Sequence, residues 1–596
     1  MNRQYRYILF ILIAFLALPA RLEAEPKMIP ARSIAIHGKP KYGDSFKHFD
    51  YVNPNAPKNG SAVFHAIGTW DNFHRYAQRG LAAAGSEDLY DSLLAGSSDE
   101  VDSYYPLIAE KFEYAEDYSS IIFYINPKAR THSGKPIEAE DVVFSFNTFY
   151  EKGVPQFKAY YEGTNVRALD RYRVRFDLPE GGDKEKLFGL GGTKILARSW
   201  WKGKDFSEPQ ASPPEGTGPY RFGEYRMGQS VSLELVEDYW AKDLPVNKGR
   251  NNFKKIRYDY YRDDTVAFEA FKAGEYDYRE ENVAMQWATG YTGPAFDSGK
   301  LIREEVPHSI PQGMQAFVFN TDRPMFSDWR VRRAIGYAMD FPWMNKNLFY
   351  GQYTRTRSYF QNTIYEAKGL PSKEELAVLK PLQGKIPAEI FTEEYQPPST
   401  DGSGNISSQT RAALALFKEA GWELKNQKLV HSQSGQPMAF ELLIYSPSFE
   451  RISIPIQENL KKFGIDMKIR MVDTTQFTNR LRSRDFDLIS NGYGANYYPS
   501  YSLNFSWHSA YIDSTWNTAG VKDPAVDYLI EGILERQKND EELIVWGRAL
   551  DRVLTWNHYV IPQWHLSMFR LAYNIKFKKP AIRPQYAVGL DTWWIP

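Results

Sequence analysis

Apolar residues along this chain alternate between a spacing of two and a spacing near three and a half. Ser61 to Ile67 and Ser120 to Ile125 read as buried strands. Lys135 to Phe149 turns from loop into helix, with Ala139, Val142, Val143, Phe146 and Phe149 at helical spacing. A further helix is predicted from near Ser327, a good N-cap residue, with Val331, Ala334, Ile335, Ala338 and Met339 on one face. Ala413, Leu416, Phe417 and Ala420 line another that stops at Gly421. Ile456, Leu460 and Phe463 line a helix ending at Gly464. Directly after it, Ile465, Met467, Ile469 and Met471 alternate with polar residues as a half-buried strand. A helix running straight into a strand is the grammar of an α/β domain. Residues 366–409 are richer in Pro, Gly, Ser and charge and read as an extended surface excursion.

The N-terminus carries a different pattern. Arg3 and Arg6 precede a short apolar run from Ile8 to Leu18, followed by Pro19-Ala20 and Leu22-Glu23-Ala24. That layout is expected of a secretory signal peptide, residues 1–24, with cleavage after Ala24. A retained N-terminal anchor is the alternative. No later stretch is long and apolar enough to span a bilayer.

The chain has no cysteine, which excludes disulfides, thiolate metal sites, cysteine nucleophiles and the lipid-modified cysteine that tethers many secreted receptors. The expectation is a freely diffusing periplasmic protein. The 73 basic and 73 acidic side chains balance, and removing residues 1–24 leaves a slight acidic excess. Neither value provides an electrostatic footprint for nucleic acid or an anionic membrane. At 596 residues the chain is too long for one core and calls for several domains.

Familiar catalytic signatures are missing from the sequence. The sequence contains no His-Glu-x-x-His, no Gly-x-Ser-x-Gly and no Gly-x-x-x-x-Gly-Lys-[Ser/Thr]. Gly189 to Lys194 looks phosphate-friendly, but its spacing fails and it reads as a tight turn. Of the ten histidines only His558 and His565 lie close together, where core or surface roles are the ordinary reading. No cofactor or metal is implied. A pair of carboxylates acting on a glycoside needs no sequence proximity, so a secreted hydrolase stays open as an alternative.

Several segments in fixed order resemble one family. They include Tyr105-Pro-Leu-Ile-Ala-Glu110, Ile121 to Ile125, His132-Ser-Gly-Lys-Pro to Phe146, Gly216-Thr-Gly-Pro-Tyr220 and Ala270 to Asp277. Phe319-Asn320, Phe326, Val331-Arg-Arg-Ala-Ile335, Ala420-Gly-Trp422, Gly464-Ile465 and Asp485-Phe-Asp487 continue the series. Together they resemble the oligopeptide/dipeptide-binding receptors of ABC importers, solute-binding family 5. His48 to Pro57, Tyr359 to Thr363, Leu550 to Asn557 and Asp591-Thr-Trp-Trp594 are similar to its YejA-type branch, associated with peptides, peptide conjugates and murein-derived peptides.

The resemblance implies an α/β, periplasmic-binding-protein type II-like fold, with two lobes joined at a hinge plus an additional domain. The family order suggests a base domain from residues 25–75, 200–314 and 560–596, an additional domain at 76–199 and an opposing lobe at 315–559. The implied partners are a peptide-like ligand and the permease subunits of an importer, with the receptor monomeric and no nucleic acid involved. A sugar- or opine-type ligand is the alternative, motivated by the 40 Tyr, 36 Phe and 15 Trp that can grip varied organic molecules.

Site residues follow from the same resemblance. The loop Thr69 to Arg75 leaves the first strand where family members meet ligand: Asp71 is a candidate for an amine, Trp70 and Phe73 for walls, and Arg75 joins them, with ordinary loop packing the equal alternative for each. Peptide receptors of this family carry an Asp, pairing with the peptide ammonium, in the loop after the Asp-Phe-Asp-like strand. Here that loop reads Asn491 to Ser500 and the matching position is Asn496, flanked by Tyr493, Tyr497 and Tyr498. A neutral amide cannot supply the charge pair. Among Arg480, Arg482 and Arg484, Arg484 is the candidate for a carboxylate, against the alternative of solvated helix-end charges. Gln563 and Trp564 sit where the chain re-crosses between lobes, with core packing the equal alternative for Trp564.

Overall fold

The computed structural model describes residues 26–153, 155–179 and 183–596. The signal-peptide expectation falls on residues outside that set.

Three main sheets organise the chain. The first is antiparallel, in the order Met28–Ala31, Ala109–Ala115, Ser120–Ile125, Arg173–Asp177 and Asn165–Asp170. The helix Ala139–Lys152 covers it with Val142, Phe146 and Phe149, which are buried as their spacing predicts. A reciprocal capping box between Glu138 and Asp141 starts this helix, satisfying two amide donors that have no intrahelical acceptor.

The second sheet runs Tyr220–Arg226, Ser230–Leu235, Lys255–Tyr261 and Ser61–Ile67, the last pair parallel. Beside it lies a three-stranded sheet in the order Tyr278–Glu280, Met568–Asn574 and Leu301–Pro307. One continuous core joins these sheets to the first. The C-terminal segment closes over this body: Arg250 pairs with Asp591 at 2.6 Å, Lys578 N donates to Trp594 O at 2.8 Å, and Trp593 lies 5.0 Å from Tyr573.

The third sheet is the centre of the other lobe, in the order Asp466–Met471, Ala439–Ile444, Leu488–Tyr493, Met314–Phe319 and Val560–Pro562. Its strand Met314–Phe319 is apolar at five of six positions because both faces are covered. Met314, Ala316 and Val318 enter one core, under the helices Pro524–Glu535 and Asp540–Trp556. Phe317 and Phe319 enter another, under Trp329–Gly336, Ser407–Glu419 and Pro447–Lys462.

The domain limits 25–75, 76–199, 200–314, 315–559 and 560–596 stand as a proposed division. Two short strands pair across them: Met28–Ala31 joins the sheet of 109–177, and Val560–Pro562 joins the sheet of the 315–559 lobe.

Three local expectations need correction. The helix expected near Ser327 starts one residue later, at the cap Asp328, whose carboxylate accepts Arg330 N at 2.8 Å. Met471 is 45% exposed rather than facing the core, since its strand lies at the sheet edge. Residues 366–409 are not simply a surface excursion: Leu379, Leu382, Ile386 and Ile390 enter the core beneath Asp540–Trp556. A buried ion pair fastens this segment. Arg552 and Glu375 meet at 2.7 Å with 3% and 4% of their side chains exposed, and Arg552 also donates to the carbonyls of Lys368 and Gly369. Glu375→Gln leaves Arg552 without its counter-charge, and the expected cost is about 3–5 kcal/mol in urea denaturation. The double variant Glu375→Leu/Arg552→Leu should recover most of that loss, because it removes both desolvated charges together.

Candidate functional site

Two segments connect the lobes. Residues 308–313 link the strand Leu301–Pro307 to Met314–Phe319, and residues 563–567 link Val560–Pro562 to Met568–Asn574. The two crossings lie side by side. His308 N donates to Ser567 O at 2.9 Å, Gln563 N to Gln315 O at 2.8 Å, and Gln315 Nε2 to Gln563 Oε1 at 2.7 Å. The lobe adds a third strand: Thr354–Arg355 pairs with Trp564–His565, and Thr356 N donates to Gln563 O at 3.1 Å. At Gly313 a Cβ would fall 2.6 Å from Tyr493 O, so the first crossing presses directly on the start of the 494–498 loop.

A cavity of about 420 Å³ opens beside the crossings. His308, Ser309, His565 and Ser567 line it from the crossings, and Phe341, Arg355 and Arg357 from the lobe. Arg357 pairs with buried Glu366 at 3.0 Å. Arg355 lies 5.4 Å from the Phe341 ring centre, and among the described residues none of its three guanidinium nitrogens has a hydrogen-bond partner. Burial holds its pKa down to about 10. His565 Nδ1 meets Thr356 Oγ1 at 2.9 Å, and burial, followed by the neighbouring His308, pushes its pKa down to about 4. His308 is also lowered, first by burial and then by Arg583, and its Nδ1 has no partner. Both imidazoles are therefore neutral at pH 7 and act as hydrogen-bonding groups, not charges.

The residues expected from sequence are distributed unevenly around this junction. Trp70 and Phe73, expected as ligand walls, lie inside the base core at 1% and 0% exposure, 5.0 Å apart and edge-on to Tyr225. Asp71 closes its own loop, accepting Leu81 N and Asn72 Nδ2 at 2.8 Å each, and these bonds hold its carboxyl below the usual range. Arg75 pairs with Glu87 at 3.1 Å on the surface. Arg484 is occupied structurally: in a left-handed backbone conformation, φ 52°, it donates to Ile512 O and Asn517 O and meets Asp322. Arg480 pairs with Glu441 at 2.8 Å, and Arg482 is exposed. Gln563 is fully buried in its crossing, and Trp564 packs 4.4 Å from Phe349.

The loop after Leu488–Tyr493 reaches out of its lobe. Tyr493 is buried and stacks 4.1 Å from Trp507, which leaves it a core residue. Asn496 is half-buried, and Tyr497 is 41% exposed, 6.4 Å from Tyr586 of the C-terminal segment. Tyr498 touches the cores of both bodies, lies 4.6 Å from His37 and neighbours Glu185. His37 Nδ1 reaches Asp540 at 2.8 Å, a second contact between the bodies. Near Tyr498, burial raises Glu185 to about 7 and Asp102 to about 6. Sequence reasoning missed Arg355, His308, Asp102 and Glu185. The one available signal was Thr-Arg-Thr-Arg357, two arginines close together with no acid beside them.

The unfolded chain protonates a histidine near pH 6.5, whereas His565 does so near 4. The unfolded state therefore binds the extra proton between these values. The stability His565 contributes is fully present above pH 6.5 and is lost as pH falls toward 4, on the order of 3 kcal/mol. Urea midpoints measured from pH 7.5 to 4.5 should fall less steeply for His565→Gln than for the parent.

Residues 103–514 match the model for bacterial extracellular solute-binding proteins, family 5 Middle. The chain is 48% identical to the uncharacterized protein YejA of Escherichia coli K12, over 98% of this chain and 97% of that one. It is 36% identical to the probable peptide-binding protein YejA of Agrobacterium fabrum, over 99% and 98%. Among solved structures, the oligopeptide-binding protein AppA of Bacillus subtilis, in complex with a nonapeptide, superposes with a TM-score of 0.64 at 19% identity, covering 91% of this chain and 100% of that one. That likeness establishes the two-lobed, type II α/β fold.

Proposed function

We propose, from the premise that this chain belongs to the family 5 bacterial extracellular solute-binding proteins, that it is a periplasmic receptor for a peptide or peptide conjugate, which it delivers to the membrane subunits of an ABC importer. The observation that carries this reading is the pair of crossings, with a cavity beside them and the 494–498 loop reaching from one lobe to the other body. Two adjacent connections form a hinge. A ligand touching both lobes favours the closed state by the difference between its contacts in the closed and open forms. Murein-derived peptides fall within the same reading.

The ligand-facing set we propose is Asn496, Tyr497 and Tyr498 from the lobe, with Asp71 and Arg75 at the base-domain loop. Trp70, Phe73, Tyr493, Arg484, Gln563 and Trp564 hold that set in place through the packing described above. The protein acts as a stoichiometric carrier, not an enzyme. A sugar- or opine-type ligand is the competing reading, supported by the abundance of aromatic residues.

Denaturing the purified protein and analysing what it releases by mass spectrometry should yield a molecule containing amino acids, at about one per chain. The same molecule should be recovered intact after prolonged incubation with excess protein. Release of oligosaccharide alone refutes the peptide reading, and turnover refutes the carrier reading. Calorimetry should show that Asn496→Ala weakens binding by only about 0.5–1.5 kcal/mol, the value of a neutral hydrogen bond. Tyr497→Ala should cost more, because it removes aromatic contact area as well as a hydroxyl.

A further inference from the structure

We propose that Asp540 latches the opposing lobe to the body that holds the first two sheets, so that the receptor is partly closed before any ligand arrives. The latch rests on the hinge of the receptor reading and assumes nothing about the ligand.

The contact is made of protein atoms alone. One carboxylate oxygen of Asp540 accepts His37 Nδ1 at 2.8 Å, and the other accepts Gly38 N at 2.9 Å, from a segment 503 positions away in sequence. Burial pushes the Asp540 carboxyl up, but these two donors and the nearby Lys184 outweigh it and hold the group below its usual range. It is therefore ionised at neutral pH, and both bonds are charge-assisted. Two contacts flank them. Lys538 Nζ lies 5.3 Å from the Tyr118 ring centre, and the His37 ring meets Tyr498 edge-on at 4.6 Å.

Each half of the latch is fixed by its own body. Ile36, beside His37, is buried in the first core, and its N–H bonds Asp102 O at 3.1 Å. The two residues before it, Ile34–Ala35, pair with the strand Ser103–Pro106. Asp540 opens the helix Asp540–Trp556, which Asn539 caps and which Leu543 and Trp546 tie into the lobe core. Two rigid halves cannot keep contact by bending, so separation of the lobes breaks these bonds together. Among the described residues the His37 and Asp540 side chains have no other hydrogen-bond partner, so the pair joins the bodies without supporting either core. A contact made only on closure, and not through the ligand, favours the closed state of the empty protein. It raises the affinity for every ligand by one common factor and leaves the choice among ligands to the cleft.

The chain has no cysteine, so one pair of spin labels can be attached without background. Lys47→Cys and Glu535→Cys place them at exposed positions on the two bodies, outside the latch. Double electron–electron resonance is measured on the full-length mature protein, stripped of bound molecules in urea and refolded. The parent should show a short separation alongside a longer one. Asp540→Ala should lower the ratio of short to long about fivefold or more, His37→Ala similarly, and Lys538→Ala less. The exchange His37→Asp/Asp540→His, which restores the pair but not the bond from Gly38, should recover part of the ratio. All variants should melt within a few degrees of the parent, whereas a core-supporting pair would lower the melting temperature without changing the separations. A parent showing only the long separation, or separations that neither Asp540→Ala nor His37→Ala alters, overturns the latch. No ligand enters this measurement, so a failure of the peptide reading leaves its outcome intact.

Discussion

The two crossings, 308–313 and 563–567, are the constraint on which the remainder of the molecule depends. They run side by side and are hydrogen-bonded through Gln315 and Gln563 at one end and His308 and Ser567 at the other. The strand entered by the first crossing, Met314–Phe319, lies inside its sheet with both faces buried. Displacing it would disturb two cores at once, and close-packed cores resist such displacement. The junction thus joins the two bodies through paired segments whose flanking strands are fixed in their cores. Two neighbouring features are attached to it: Arg355 through its pairing with Trp564, and the 494–498 loop through the contact of Gly313 with Tyr493.

Charge is managed differently in the bodies and at their junction. Inside the lobes, buried arginines are held by partners, as Arg552 is by Glu375 and Arg332 by four backbone carbonyls. Between the lobes the pattern reverses. Arg355 has no counter-ion, and Asp102 and Glu185 have raised pKa values without an ion pair among the described residues. Inside a lobe, unpaired charge only destabilises. At the junction the same groups are held desolvated without a compensating charge.

Much of the fold was legible because its signals are local. The strands Ser61–Ile67 and Ser120–Ile125 occupy the residues their apolar runs indicated. Pro447–Lys462 ends just before Gly464, whose φ of 82° suits glycine, and the next strand begins at Asp466. The expectation for 366–409 failed because its Pro, Gly and charged residues masked a sparse apolar series, whose burial depends on a helix more than 150 positions away. Among site candidates, aromatic character in a loop did not distinguish walls from core. Trp70 and Tyr497 are both aromatic loop residues, yet the first is buried under Tyr225 and the second is exposed beside Tyr586.

By itself the sequence determined the α/β class, the order of the elements and, through ordered motifs, the family, since periodicity and turn chemistry are encoded within a few residues of where they act. Which polar groups are left without partners was decided only by the tertiary structure. Arg355 and Arg357 share one short segment and nearly one sequence environment. The fold brings Glu366 to 3.0 Å from Arg357, and among the described residues it brings no hydrogen-bond partner to the Arg355 guanidinium. A charge is paired or unpaired according to what approaches it from distant parts of the chain, and no local pattern records that.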